Sequence, residues 1–161
     1  MRNRPVIALA GNPNVGKTCL FNALTGAHQS VGNWPGVTVE HKSGICNYNG
    51  KSYEVVDLPG IYSLAGGSPD ELVARNYILT EKPDIIINLV DASNLERNLY
   101  LTVQLMELGA PLMMCLSMID IAEHNGIYID TEHLSSHLGF AVFPLVLNKR
   151  IDVSPILKKV E

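Results

Sequence analysis

Val6-Ile-Ala-Leu-Ala10 runs straight into Gly11-Asn12-Pro13-Asn14-Val15-Gly16-Lys17-Thr18, and Cys19-Leu-Phe-Asn-Ala-Leu24 follows. Five apolar residues stopped by glycine and proline read as a buried strand, and Lys17–Leu24 reads as a helix ended by Thr25-Gly26. The junction has the pattern Gly, four residues, Gly-Lys-Thr. At a strand-to-helix turn this pattern makes an anion cradle. Its glycines let several backbone N–H groups converge, and the helix N-terminus adds its positive end. Lys17 can reach the outer phosphates of a nucleotide, and the Thr18 hydroxyl can ligate Mg²⁺. Gly11 through Cys19 are therefore candidate binding residues. A dinucleotide loop would need glycine where Pro13 stands.

Outward from this loop, apolar runs alternate with helical patterns. Val37–Tyr48 and Ser52–Asp57 flank Asn49-Gly50, the strongest short signal for an antiparallel hairpin. Ile85–Val90, between Pro83-Asp84 and Asp91, reads as a central parallel strand. Leu95, Leu99, Val103 and Met106 give helical spacing to Leu95–Leu108, with Gly109 as the stop. Pro111–Leu116 and Ala141–Leu147 read as further strands, Thr131–Leu138 and Ser154–Val160 as helices. The expected fold is α/β and three-layered. A mainly parallel six-stranded sheet with one antiparallel strand carries helices on both faces. Residues 1–161 make one domain, with nothing spare for a second.

Composition narrows the function. Hydrophobic residues are 47% and charged residues 17%, which excludes intrinsic disorder. A net charge of -4 gives no support for nucleic acid as a partner. Cys19, Cys46 and Cys115 lie too far apart for a metal signature or a disulfide framework, so a reduced, intracellular setting fits best. No apolar run approaches the roughly 18–20 residues of a membrane span, so the chain as given is expected to be soluble, with no direct membrane insertion. The apolar stretch after Met1-Arg-Asn-Arg4 is too short for a signal segment.

Two further stretches complete a nucleotide site. The second hairpin strand ends in Asp57-Leu58-Pro59-Gly60. A carboxylate there can hold Mg²⁺ through water, and the Gly60 N–H can meet a γ-phosphate. Between the two motifs lies Gly36-Val37-Thr38-Val39-Glu40, whose threonine can swing onto Mg²⁺ and the γ-phosphate.

The order phosphate loop, Thr38, Asp57-x-x-Gly60 resembles a small GTPase of the Ras-like, translation-factor-related superfamily. Such domains carry a guanine motif, N-K-x-D, and here its position reads Ser117-Met118-Ile119-Asp120. Asp120 can accept hydrogen bonds from guanine N1 and N2, whereas Ser117 is shorter than the usual asparagine. The loop that meets guanine O6 reads Leu147-Asn148-Lys149 in place of S-A-x. Gly32-Asn-Trp34-Pro-Gly-Val-Thr-Val-Glu40, Asp57-Leu-Pro-Gly-Ile-Tyr-Ser63 and Val90-Asp-Ala-Ser-Asn-Leu-Glu-Arg-Asn-Leu-Tyr-Leu101 are more specific. They resemble the G domain of the ferrous iron transport protein B (FeoB) family over nearly the whole chain.

That resemblance implies a GTP-binding, slowly GTP-hydrolysing switch that couples nucleotide state to Fe²⁺ uptake, with GTP or GDP, Mg²⁺ and K⁺ as ligands. It implies a helical domain and a membrane permease domain beyond this chain, a small accessory iron-transport protein as partner, and a place on the cytoplasmic face of the inner membrane. Ile61 stands where Ras-like enzymes have a water-orienting glutamine. Asn14 matches the asparagine of potassium-activated GTPases, and backbone carbonyls near Gly32-Asn33-Trp34 would complete a K⁺ shell. Asn14, Lys17, Thr38 and Gly60 are the expected catalytic set. Thr18, Thr38 and Asp57 are the expected Mg²⁺ ligands. Two alternatives stay open: a nucleotide-binding interaction module with negligible hydrolysis, and a promiscuous NTPase with weak guanine selectivity. His133 and His137 share a helix face but lack a third ligand and read as surface histidines. Cys19 reads as a small core residue, and Trp34 as partly exposed in a switch segment.

Overall fold

The computed structural model describes residues 3–147 and 150–161. The strands are β1 (Val6–Gly11), β2 (Gln29–Asn33), β3 (Glu40–Tyr48), β4 (Lys51–Asp57), β5 (Ile85–Asp91), β6 (Leu112–Ser117) and β7 (Val142–Pro144). The helices are α1 (Lys17–Thr25), α2 (Pro69–Glu81), α3 (Leu95–Glu107), α4 (Ile119–His124), α5 (Thr131–Leu138) and α6 (Ser154–Val160). One sheet runs β2-β3-β4-β1-β5-β6-β7. Only β3 points against the rest, being antiparallel to both β2 and β4.

Alternation along the strands feeds the two faces. Ile7 and Leu9 of β1, Ile87 and Leu89 of β5, and Met113 and Cys115 of β6 face α1 and α6, packing with Leu20, Phe21, Ile156 and Leu157. Val6, Ala8 and Ile86 face the other way, against Ala74 and Ile78 of α2 and Leu101 and Leu105 of α3. Val90, Met114 and Leu116 pack with Ala122 of α4. Strands apolar on both sides must be central, which puts the end of β1, and hence the phosphate loop, mid-sheet.

Four expectations are corrected. The sheet has seven strands, not six. Every residue of β2 is exposed, so its side chains carry no alternation, and only its backbone pairing with β3 defines it. β3 begins at Glu40 rather than Val37. Trp34 N–H donates to the Val39 carbonyl at 2.9 Å and Val37 N–H to the Trp34 carbonyl at 3.2 Å, folding residues 34–39 into a turn. α3 buries Asn98, Leu101, Thr102 and Leu105, while Val103 and Met106 are 49% and 38% exposed. The polar pair can go inside because it is satisfied. Thr102 donates to Asn88 Oδ1 at 2.6 Å, and Asn98 Oδ1 accepts from the Asp91 N–H at 3.2 Å. Cys19 is exposed rather than core, because α1 turns Leu20, Phe21, Leu24 and Thr25 inward and leaves Cys19 off that stripe.

Candidate nucleotide-binding site

The phosphate loop starts where β1 ends. Gly16 precedes α1 with φ 98°, a left-handed backbone that glycine adopts without strain, and a Cβ there would collide with Leu147 Cδ1. Asn14 also has positive φ, at 63°, which asparagine tolerates better than most residues. The turn that seats Asn14 thus suits its residue type, whatever its side chain binds.

The loop is held against the end of β4. Ile61 N–H donates to the Gly11 carbonyl at 3.1 Å, and a Cβ on Gly60 would lie 3.1 Å from Pro13 Cα. Lys17 Nζ donates to Asp57 Oδ1 and to the Leu58 carbonyl, each at 2.7 Å. The side chains of Lys17 and Asp57 are only 11% and 9% exposed, so each neutralises the other's nearly buried charge.

Two cavities share Lys17 and Gly60. The larger, of about 790 Å³, is lined by Asn12, Pro13, Asn14, Gly16, Lys17, Thr18, Cys19, Gly60, Met118, Asp120, Ile121 and Leu147. It joins the loop before α1 to Asp120 at the start of α4. The smaller, of about 250 Å³, brings Lys17, Val39, Glu40, Lys42, Asp57, Leu58, Pro59, Gly60 and Asp70 together.

Some expected residues are not brought in. Ser117 is fully buried, lines neither cavity, and donates to the Val90 carbonyl at 3.4 Å. Met118 at φ 56° makes the turn that starts α4 and carries Asp120 into the cavity. Gly36, Val37 and Thr38 are exposed and line neither cavity. Gly32 sits on the β2 edge. Trp34 packs edge-on against His41 and Tyr77, with ring centroids at 4.3 and 5.2 Å, and lines an apolar groove beside α2. Asn148 lies outside the described residues.

Sequence reasoning missed Lys42. It pairs in register with Asp57 across β3 and β4, and its ammonium lies 2.8 Å from Glu40. That hydrogen bond to Glu40, and the charges of Glu40 and Asp57, raise the Lys42 pKa against the effect of burial. Glu40 and Lys42 stand two apart on one strand, and that same-face spacing was the readable signal. His133 and His137 lie 4.3 Å apart on α5, and no metal-sized group of three ligating side chains occurs among the described residues.

A mainly parallel sheet with a glycine-rich strand-to-helix loop at its centre, Asp57 closing the adjacent strand, and Asp120 in the same cavity as that loop define the Ras-like P-loop class. The comparisons refine that class. The family model described as ferrous iron transport protein B matches residues 5–160. The Fe(2+) transporter FeoB of Legionella pneumophila (strain Lens) is 55% identical over 149 residues, which is 90% of this chain and 20% of the relative. FeoB of Shigella flexneri is 56% identical over 144 residues, 87% of this chain and 19% of that one. Among solved structures, the FeoB G domain from Methanococcus jannaschii superposes with a TM-score of 0.85 at 47% identity, covering 99% of this chain and 96% of that one. An S. thermophilus NFeoB variant bound to GDP gives 0.90 at 52% identity, covering 97% and 61%. The chain belongs to the ferrous iron transport protein B family, and it spans about a fifth of the length of the curated relatives it matches.

Proposed function

We propose that this chain is the guanine-nucleotide-binding, GTP-hydrolysing switch domain of a ferrous iron transporter. The observation that carries the reading is the single cavity of about 790 Å³ that joins Asn14, Lys17 and Thr18 at one end to Asp120 at the other. Relatives bound to GDP support the choice of base. The oxygen donors Thr18 and Asp57 suit a hard cation such as Mg²⁺, with Thr38 as the third ligand once residues 34–39 close. Bound there, the ion would neutralise phosphate charge. Lys17 would leave Asp57 for the β- and γ-phosphates, and the Gly60 N–H would meet the γ-phosphate.

Ile61 is 3% exposed and packed in the core, so it orients no water. Asn14, exposed on the cavity rim, supplies an amide oxygen for K⁺, which would offset charge developing on the phosphates. Gly32 and Trp34 join that shell only if residues 29–39 swing over the cavity. The rest of the family protein, a helical and a permease domain at the cytoplasmic face of the membrane with a small accessory protein, is the proposed setting. Among the described residues, no helix is long and apolar enough to cross a membrane.

Phosphate release from GTP, measured in KCl and in NaCl, tests the catalytic half. Faster release in KCl, erased by Asn14→Ala, is expected. Equal rates in both salts contradict the cation mechanism. Ile61 also favours a second reading, a binding module with negligible hydrolysis, and that reading predicts GDP binding with no phosphate release in either salt.

A further inference from the structure

The single tryptophan, Trp34, sits in the stretch that joins β2 to β3. Its ring is half-buried against the core on the α2 side and meets Tyr77 of α2 edge-on, with ring centroids 5.2 Å apart. His41 of β3 meets it edge-on as well, at 4.3 Å. Pro35 and Val37 line the same groove of about 600 Å³ along α2. The backbone ties Thr38 to this seat. Asn33 pairs with Glu40 at the end of the β2–β3 ladder, and the Trp34 N–H donates to the Val39 carbonyl at 2.9 Å. Thr38 therefore stands inside a loop closed at its base by residues 34 and 39. It is exposed there and lines neither cavity of the nucleotide site. One atom of the seat is badly served: Trp34 Nε1 is buried with no acceptor among the described residues. A buried N–H without a partner costs free energy that hydration would return. The ring contacts hold Trp34 in, and the unmet donor keeps that hold shallow.

We propose that Trp34 is an autoinhibitory latch: its indole, seated on α2 against Tyr77, holds residues 34–39 away from the nucleotide cavity until a nucleoside triphosphate draws Thr38 in. The proposal rests on the reading of that cavity as the nucleotide site. Residues 34 and 39 are bonded to each other, so Thr38 between them reaches the phosphate end only as the ring leaves α2. A triphosphate presents a γ-phosphate to Thr38, whereas a diphosphate has none and leaves the loop where it is. Triphosphate affinity is therefore reduced by the fraction of chains whose loop is already free, and diphosphate affinity is not. The latch lowers the preference for triphosphate over diphosphate without touching either cavity.

The test reads the fluorescence of Trp34, with no other tryptophan to mask it, in the free chain, with GDP, and with a non-hydrolysable GTP analogue, all in Mg²⁺. Emission should stay blue and poorly quenched by acrylamide in the free chain and with GDP. Saturating analogue should shift it to the red and raise the quenching. In Tyr77→Ala the free chain should already emit to the red, affinity for the analogue should rise about threefold or more, and GDP affinity should stay the same. Tyr77→Leu keeps apolar bulk beneath the indole without the ring contact, and it should change in the same direction by less. An analogue that binds without moving the emission overturns the proposal. So do Tyr77 variants that gain no affinity for the analogue, or that change analogue and GDP affinity by the same factor, the mark of a merely structural role. If the unmodified chain binds neither nucleotide, the nucleotide-site reading itself has failed and takes the latch with it, even where Tyr77→Ala still moves the emission.

Discussion

Lys17 holds a nearly buried carboxylate and is also the proposed phosphate ligand. It reads from sequence as a phosphate ligand, and in the structure it is bonded to Asp57 and the Leu58 carbonyl. Removing it strands a carboxylate that is 9% exposed. Lys17→Ala should therefore lose triphosphate binding and also lower stability by about 2–4 kcal/mol, as breaking a nearly buried pair does. Lys17→Ala with Asp57→Asn should regain part of that stability in urea unfolding while binding stays lost. Unchanged GTP affinity in the single variant would remove the phosphate-loop reading. Ser117 was less legible. Sequence places it just after a buried strand, at the expected guanine motif; the structure makes it the last residue of β6, with its hydroxyl turned inward to the Val90 carbonyl. Cys19 misread for a related reason: one position along a helix separates the core stripe from the phosphate-loop side.

At the scale of elements, local chemistry was readable wherever a cap or a turn residue carried it. Asn49 and Gly50 both have positive φ, which the hairpin between β3 and β4 requires. α5 and α6 begin and end where their sequence signals stand, α5 with Asp130 accepting from the His133 N–H at 2.9 Å. β2 and α4 were not readable. β2 has no buried side chain, and α4 is six residues long with a start set by the left-handed Met118. α2 opens on Ser68, whose hydroxyl accepts from the Glu71 N–H at 3.2 Å, and Glu71 Oε2 accepts from the N–H groups of Gly66 and Gly67. Ser68→Ala should cost about 1 kcal/mol in thermal or urea unfolding. No loss of stability would show that Glu71 alone holds this turn.

The end of α6 offers a pH test. The Glu161 carboxylate accepts from Asn49 and sits 3.3 Å from Lys51, and these contacts lower its pKa. A carboxylate held low contributes stability above its unfolded pKa, about 4.3 for glutamate, and loses that contribution as pH falls through the lower folded value. Amide exchange in α6 and the Asn49 side-chain resonances should therefore change below about pH 4.3, and Glu161→Gln should abolish that change. An identical acid response in the Gln variant would place the titrating group elsewhere.

Over the whole molecule, the central strands place the phosphate loop after β1, Asp57 at the end of β4 and Asp120 in the short helix that follows β6. The candidate residues that follow β1, β4 and β6 sit on buried strands, while Thr38 and Trp34 lie on the stretch between α1 and β3. Composition and strand patterning revealed this division in outline: the strand-borne half was legible because its residues are apolar, periodic and glycine-punctuated. The stretch between α1 and β3 was not, because its position depends on backbone pairing and on Trp34 packing against Tyr77 rather than on burial. The most direct measurement is a calorimetric titration of the chain with GDP and with ADP in Mg²⁺. In the proposed site Asp120 would pair with guanine N1 and N2, and adenine lacks that donor pair, so GDP should bind at least about tenfold more tightly. Equal affinity for the two, or no binding of either, would contradict a guanine-nucleotide switch.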